Sequence, residues 1–276
     1  MRGAPQRCAT RAVIRGRLRA PVLREHLGVA VYSRESAGAA IDVWFHPAFG
    51  DSHLCFRESF ASGLAELARV FVFDPPGHGA SPALPQGLTI EGAARLWRDL
   101  VARLSAGRAV VLVGHSMAGI IATRTAQLMR HSPVLVVSIE GNLTRQDAYF
   151  TGLAAQFDRP QAFHAAFRSS ILRRARRDET MRRFVSSLEF ADPLTLWTLG
   201  RSVHDYDDPG AGFRRLECPK IHYWDAATTS KSAQLYLTRH RIPQRRLDGL
   251  GHWPMVKSPH TFYAAVEQDI CDLRPR

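Results

Sequence analysis

The stretch Gly114-His115-Ser116-Met117-Ala118-Gly119 follows an apolar run, 109–113, and precedes a helical pattern over 120–130. A strand that turns sharply through a serine into a helix lifts the hydroxyl clear of the sheet, with the helix N-terminus behind it. Such a serine can attack a carbonyl carbon. The alternative is an ordinary strand-to-helix turn in which Ser116 caps the helix. Ala118 stands where glycine is commonest in this pattern, and alanine is small enough for the turn to form.

The rest of the chain alternates short apolar runs with helical patterns. The runs predict strands at 29–34, 41–45, 70–73, 109–113, 134–139, 220–224 and 245–247, with the first two joined by a turn around Gly38. Helices are predicted at 54–68, 89–104, 120–130, 230–240 and 259–273. Strands that are apolar on both faces are typical of a mostly parallel sheet covered by helices on both sides. The predicted fold class is therefore α/β.

The alternation stops between residues 142 and 216. This stretch holds no good buried strand, but Phe163, Phe167 and Ile171, and then Phe184 and Leu188, recur at helical spacing. About 75 residues are too many for a plain loop. The sequence therefore predicts a helical insertion at 142–216 within a core formed by 25–141 and 217–276.

Length and composition favour one large domain. The 276 residues are 45% hydrophobic, which is enough for a full core. Four widely spaced cysteines, Cys8, Cys55, Cys218 and Cys271, form no disulfide framework and favour a reducing cytoplasm. No apolar run approaches the length of a membrane span, and no apolar stretch follows the first arginines as it would in a signal peptide. We therefore expect a cytoplasmic protein without a membrane anchor.

The net charge of +12 is unevenly distributed. Seven arginines fall within residues 1–24, before the first acidic residue, Glu25, and we treat this segment as a basic extension outside the fold. A second cluster opposes only Asp178 and Glu179; its members are Arg168, Arg173, Arg174, Arg176, Arg177, Arg182 and Arg183. It is either a solvated helix face or a binding surface for an anionic group, such as the phosphate of coenzyme A or a carrier-protein arm. No nucleic-acid motif accompanies the charge, so nucleic acid is not an expected partner.

A serine hydroxyl needs a general base within hydrogen-bond reach. His252 lies in a glycine-flanked loop after the last predicted strand, where it can overhang the edge of the sheet that carries Ser116. His78 and His115 are better explained as turn and packing residues. An acyl-transfer intermediate also needs two N–H donors for its oxyanion. We expect them from the amides of Met117 and Phe49, with Ala48 close to the second.

Four segments together resemble the α/β-hydrolase superfamily, and the resemblance covers roughly residues 29–273. The segments are 46–52, 74–81, 114–119 and 251–254. The resemblance implies an eight-stranded sheet, a cap inserted after the sixth strand, and a catalytic triad in the order nucleophile, acid, histidine. The helical insertion at 142–216 would be the cap. The resemblance does not identify the substrate.

The acid departs from the pattern that is commonest in the superfamily. Many relatives carry an aspartate after the seventh strand where this chain has Thr228, and Asp225 lies three positions earlier. Glu140 ends the sixth strand, 24 residues after Ser116. This position resembles the acid of some haloalkane dehalogenases, and a carboxylate there can orient the imidazole of His252. Glu140 is the preferred acid and Asp225 the alternative. Dehalogenation itself would need an aspartate nucleophile, and this chain has Ser116.

The sequence thus predicts a serine hydrolase that cleaves an ester or thioester of a small-molecule substrate without a metal or another cofactor. Candidate substrate contacts, for which plain core packing is the alternative role of the phenylalanines, are Ala48, His115, Phe150, Phe157, Phe163, Phe167 and Trp253. The same residues could also support acyl transfer, carbon–carbon bond cleavage or lyase chemistry. A ligand receptor that has lost its catalytic rate is an alternative of a different class.

Overall fold

The structure, a computed structural model, describes residues 20–273 and is built on one eight-stranded sheet. Its strands are β1 (Val22–His26), β2 (Val29–Arg34), β3 (Ile41–His46), β4 (Arg69–Phe73), β5 (Ala109–His115), β6 (Leu135–Ile139), β7 (Lys220–Trp224) and β8 (Gln244–Arg246). They lie in the order β1-β2-β4-β3-β5-β6-β7-β8. The first two pairings, β1 with β2 and β2 with β4, are antiparallel, and the other five are parallel.

Ten α-helices accompany the sheet in the described residues: α1 (Leu64–Leu67), α2 (Ile90–Leu104), α3 (Ala118–Leu128), α4 (Pro160–Ala175), α5 (Glu179–Leu188), α6 (Pro193–His204), α7 (Pro209–Arg215), α8 (Lys231–Arg239), α9 (Pro254–Lys257) and α10 (Pro259–Asp272). Three 3-10 helices span His53–Ala61, Arg145–Ala148 and Thr151–Gln156. The central strand β3 is buried along its whole length. The predicted class, a mostly parallel eight-stranded sheet flanked by helices, is confirmed. None of the helices within 20–273 is both long and apolar enough to cross a membrane.

Two local predictions, the extension 1–24 and the helix 54–68, are wrong. The sheet begins at Val22, inside the predicted extension 1–24, because β1 is a mostly exposed edge strand that is held by backbone pairing with β2 and has little apolar signal. Residues 1–19 lie outside the described part of the chain. The predicted turn around Gly38 joins β2 to β3, and β4 pairs with both of these strands and lies between them in the sheet. The helix predicted at 54–68 is broken at Ser62-Gly63 into a 3-10 helix and α1.

The segment 142–216 connects β6 to β7 and contains two of the 3-10 helices and α4 to α7. It is hydrogen-bonded to loops that follow the parallel strands: the amide of Asp192 donates to the carbonyl of Gly77 at 2.8 Å. The amide of Leu88 donates to the hydroxyl of Thr198 at 2.9 Å. These bonds place the helical insertion over the loops at the carboxyl ends of the strands, which is where ligands bind in open α/β sheets.

A charged cluster stabilises the opposite end of β3. Asp42 is fully buried and accepts hydrogen bonds from Nε of Arg69 and Nε of Arg108, both at 2.7 Å. Burial opposes ionisation of this carboxyl, but hydrogen bonds from Arg69, Ser105 and Arg108 outweigh it and lower its pKa. Asp42 therefore remains ionised in the core and joins β3 to β4 and to the turn before β5.

We expect Asp42→Asn to lower the free energy of unfolding by about 2–3 kcal/mol at neutral pH, because two partly exposed guanidinium groups lose their buried partner. The folded-state pKa is depressed, so the carboxylate contributes its stability above about pH 4 and loses it as the pH falls through the folded-state pKa. Urea unfolding across this range should show the difference from the wild type shrinking as the pH falls. Asp99→Asn, which alters an exposed pair with Arg98, is the matched control and should change little. A difference that stays constant down to about pH 3 would contradict this interpretation.

Candidate active site

Ser116 occupies a sharp turn between β5 and α3. Its φ is +55°, in the left-handed region that few non-glycine residues adopt. Its amide donates to the carbonyl of Ile139 at 2.8 Å, and its carbonyl accepts from the amide of Gly119 at 2.8 Å. The N-cap of α3 is Met117, so Ser116 does not serve as the capping residue of that helix. Backbone strain of this kind costs about 1–3 kcal/mol and is concentrated at functional sites.

Small residues make the turn possible. A Cβ at Gly114 would lie 2.2 Å from the carbonyl oxygen of Ala118, and one at Gly119 would lie 2.6 Å from the hydroxyl of Ser138. Gly141 is equally constrained, since its Cβ would lie 2.1 Å from that same hydroxyl. The turn after β5 and the end of β6 therefore approach each other too closely for any side chain at these positions.

Glu140 ends β6 with a φ of +47° and a nearly buried side chain. Its Oε1 accepts hydrogen bonds from the amide of Asp225 at 2.5 Å and the hydroxyl of Thr229 at 3.0 Å. Its Oε2 accepts from the hydroxyl of Thr228 at 3.0 Å and lies 3.5 Å from Nδ1 of His252. The carboxylate is thus held by three donors of the loop after β7, with one oxygen facing the imidazole.

Asp225 accepts hydrogen bonds from backbone amides and not from the imidazole of His252. Its Oδ1 accepts from the amide of Ala227 at 2.8 Å, and its Oδ2 accepts from the amide of Gly251 at 2.7 Å. Burial opposes ionisation of Asp225, but hydrogen bonds from these amides and that of Gly249 outweigh it, so its pKa is lowered. Of the two candidate acids, Glu140 lies beside the His252 ring. Asp225 instead binds the amide of Gly251 and so holds the loop that carries His252.

Thr228 and Thr229 were not predicted as site residues. The hydroxyl of Thr228, the position at which the resemblance places the acid of many relatives, donates to the carboxylate of Glu140 at 3.0 Å. The only signal available in the sequence was the absence of a carboxylate at position 228 together with a glutamate at position 140.

His115 connects the serine turn to the His252 loop. Its Nε2 donates to the carbonyl of His252 at 2.7 Å, and the two ring centroids are 5.0 Å apart. Complete burial, followed by the nearby His252 ring, holds the pKa of His115 well below its usual value, so the ring stays neutral. Its side chain is fully buried, and its role as a substrate contact stays a prediction. The hydroxyl of Ser116 and the imidazole of His252 do not hydrogen-bond to each other in the described chain.

The predicted oxyanion donors lie in two buried segments. Phe49 and Met117 are 5% and 1% exposed, and neither amide donates to another group within residues 20–273. The loop of Phe49 is tied to the His252 loop, because Asp51 Oδ2 accepts from the indole of Trp253 at 3.2 Å. Both N–H groups are therefore without a hydrogen-bond acceptor within residues 20–273, and their role as oxyanion donors stays a prediction.

A cleft of about 780 Å³ opens beside His252, between the α4–α5 corner and the loops after β7 and β8. Phe150 and Trp253 line it together with Asp225 and Thr228, and their contact with a substrate stays a prediction. The other predicted contacts lie elsewhere: Phe163 and Phe167 are buried against Phe49, with ring centroids 6.3 and 5.5 Å from it; Phe157 packs on Phe163; and Ala48 is buried in the loop after β3. Helical spacing marks these phenylalanines as core of the insertion and cannot tell which of them face a cleft.

These features agree with a comparison of the sequence with known families. Residues 43–266 match the model of the alpha/beta hydrolase family. The chain belongs to this family. No curated protein was found that matches the sequence.

Several solved structures of other proteins have a similar fold. One is a thermophilic esterase from Thermogutta terrifontis, with a TM-score of 0.71 and 17% sequence identity; the match covers 93% of this chain and 100% of the esterase chain. A hydrolase from Pseudomonas aeruginosa has a TM-score of 0.68 and 19% identity over 90% and 97% of the two chains. The N-acyl homoserine lactonase AidH, bound to N-butanoyl homoserine, has a TM-score of 0.70 and 14% identity over 93% and 98%. At these identities the likeness shows the shared fold.

We expect Gly114→Ala to destabilise the protein by at least about 2 kcal/mol, because the new methyl group meets a backbone oxygen that cannot move without breaking the serine turn. Gly92→Ala in α2 is the control, since the nearest atom to its Cβ is 3.3 Å away and alanine favours helix. Urea unfolding of both variants measures the difference. Equal stability of the two would show that the turn tolerates a side chain at position 114.

Proposed function

We propose that this alpha/beta hydrolase cleaves an ester or thioester of a small-molecule substrate through an acyl-enzyme on Ser116. The observation that carries the proposal is the 3.5 Å approach of Glu140 Oε2 to His252 Nδ1, in a loop that is hydrogen-bonded to the serine turn. A serine at positive φ, a histidine and a carboxylate on three neighbouring segments support nucleophilic catalysis.

In the first half-reaction the hydroxyl oxygen of Ser116 bonds to the carbonyl carbon, and its proton passes to Nε2 of His252. Glu140 accepts a hydrogen bond from Nδ1–H and stabilises the imidazolium. The tetrahedral intermediate then expels the alcohol or thiol, which takes the proton from Nε2 as the carbon–oxygen or carbon–sulfur bond breaks. In the second half-reaction water loses a proton to His252 and displaces the acyl group from Ser116, and that proton returns to the serine oxygen.

The contact between Glu140 and His252 shortens when the imidazole gains its positive charge. A separation of 3.5 Å between Nδ1 and Oε2 is long for a hydrogen bond. When the ring becomes positive the bond turns into a charge-assisted one, which is shorter and stronger. Hydrogen bonds of catalytic groups are often long in the absence of substrate and shorten during reaction.

The amides of Phe49 and Met117 bind the oxyanion in this proposal. Met117 precedes the first turn of α3, where the helix macrodipole favours negative charge. Preorganised donors of this kind are worth about 10²–10³ in rate each. The apolar rings of Phe163 and Phe167 support Phe49 from behind and hold its loop in place.

The names of the structural neighbours support the substrate class. One is an esterase and another a lactonase, and both names denote hydrolysis of an ester bond. We therefore place esters and thioesters first among possible substrates. The steps above use side chains and amides of this chain together with one water molecule.

The test is covalent labelling of Ser116 by a fluorophosphonate, combined with hydrolysis of 4-nitrophenyl butanoate. We expect stoichiometric labelling at Ser116, located by peptide mass spectrometry, and a fall in kcat of at least about 10³-fold in Ser116→Ala. Ser169→Ala, which alters an exposed serine of α4, is the control and should keep both activity and labelling.

Two outcomes count against the proposal. Unchanged turnover in Ser116→Ala would place the reaction elsewhere in the molecule. Absence of both labelling and turnover in the wild type would favour a ligand receptor without catalysis.

A further inference from the structure

The cleft beside His252 has a cationic rim, which we define as Arg174, Arg177 and Lys257. Arg174 lies in the last turn of α4, Arg177 lies between α4 and α5, and Lys257 is the last residue of α9. The rim therefore combines cations from the helical insertion with one from the segment that follows the His252 loop. All three side chains belong to exposed residues, so they can reach a bound molecule.

The carboxylates of the same cleft are already engaged. Asp178 caps α5 by accepting from the amides of Thr180 and Met181. Glu179 pairs with Arg183 at 3.3 Å. Asp225 accepts the amides of Ala227 and Gly251. The lining carboxylates thus accept hydrogen bonds from helix and loop amides or pair with Arg183. Arg183 is the one lining cation within residues 20–273 that pairs with a carboxylate.

The cationic rim has no such partner. Within residues 20–273, Arg174, Arg177 and Lys257 form no ion pair with a carboxylate at 4.0 Å or less. The guanidinium of Arg174 lies over the ring of Phe150, 4.4 Å from its centroid, which fixes the cation at the cleft wall. Lys257 contributes to the lowered pKa of Asp225, so its charge acts within the cleft.

Apart from Arg183, which lines the cleft but pairs with Glu179, the remaining arginines of the basic cluster lie outside the cleft. Arg168 pairs with Glu189 at 2.7 Å, and Arg182 donates to the carbonyl of Ala175 at 3.2 Å. Arg173 and Arg176 are exposed and do not line the cleft. Two of the seven clustered arginines, Arg174 and Arg177, therefore line the cleft without a carboxylate partner. Lys257, from a distant part of the chain, lines the same cleft.

The position of His252 shows which half of a substrate meets the rim. In the proposed mechanism, on which this inference rests, His252 delivers its proton to the leaving alcohol or thiol. His252 lines the cleft, whereas Ser116, which would hold the acyl group, and Phe49 and Met117, which would hold the carbonyl oxygen, do not. The leaving group therefore extends from His252 into the cleft and towards the cationic rim.

We propose that the cationic rim binds a phosphate or carboxylate carried on the alcohol or thiol half of the substrate. Guanidinium groups bind both anions through paired N–H donors, and the ammonium of Lys257 adds a point charge. The three cations outnumber, together with Arg183, the three lining carboxylates, and we expect an anionic group to be preferred about tenfold over the neutral analogue. The rim is the specificity element of the cleft.

The experiment measures binding by calorimetry to the Ser116→Ala protein, so that no ligand is consumed. Two matched pairs of thioesters are compared: S-butanoyl pantetheine with S-butanoyl 4′-phosphopantetheine, and S-butanoyl-N-acetylcysteamine with S-butanoyl-N-succinylcysteamine. The first pair differs by a phosphate and the second by a carboxylate. We expect the anionic member to bind about tenfold more tightly in at least one pair, and the pair that shows it identifies the anion.

The preference should disappear when Arg174→Ala, Arg177→Ala and Lys257→Ala are combined, and should fall in Arg177→Glu, a single change at an exposed loop position. The matched control, Arg173→Ala with Arg176→Ala, removes two neighbouring charges outside the cleft and should keep the preference. Raising the KCl concentration should weaken it, since exposed charges are screened.

Equal affinity within both pairs, or a preference that survives loss of all three cations, would overturn the inference. Either result would leave Ser116 labelling and 4-nitrophenyl butanoate hydrolysis in place. Failure of the proposed function is recognised separately, by the absence of both in the wild-type protein.

Discussion

The approach of the Glu140 carboxylate to the His252 imidazole is the contact on which the rest of this site depends. Glu140 cannot rotate freely, because the amide of Asp225 and the hydroxyls of Thr228 and Thr229 occupy its oxygens. The histidine loop is held separately, through Asp225, the ring of His115 and the indole of Trp253. A carboxylate and an imidazole that are each fixed by their own neighbours meet without further ordering, and this preorganisation is what a catalytic pair needs.

Strain at two adjacent strand ends accompanies this contact. Ser116 and Glu140 both have positive φ, and both leave the sheet at the same edge, since β5 and β6 pair in parallel with Gly114 opposite Ser138. Each such residue costs about 1–3 kcal/mol, which the surrounding structure must offset. The glycines at 114, 119 and 141 avoid further clashes where the two strand ends meet, and the hydrogen bond from the Ser116 amide to the carbonyl of Ile139 ties these ends together. The cationic rim lies outside this strained region. Substitutions in the rim therefore leave the serine turn undisturbed.

Much of this architecture could be predicted because buried parallel strands leave a strong apolar signal, as β3, β5 and β6 do. Strand β1 escaped detection because an exposed edge strand is held by backbone hydrogen bonds, which any side chains permit. The placement of Glu140 near His252 was expected from the resemblance of its position to the acid of some haloalkane dehalogenases. The roles of Thr228 and Thr229 depend on side-chain directions that no periodicity encodes. The buried phenylalanines Phe163 and Phe167 show the same limit, since helical spacing identifies an apolar face but not what covers it. Glu140 as the triad acid stays a prediction.

The most direct test of the Glu140–His252 contact is the far-downfield proton NMR signal of a histidine Nδ1–H that is hydrogen-bonded to a carboxylate. We predict such a signal in the wild-type protein, with loss in His252→Ala confirming its assignment. It should persist in Asp225→Asn and disappear in Glu140→Gln, whose neutral amide is a much weaker acceptor. A signal that survives Glu140→Gln and vanishes in Asp225→Asn would contradict the account, because it would show that the imidazole takes Asp225 as its partner.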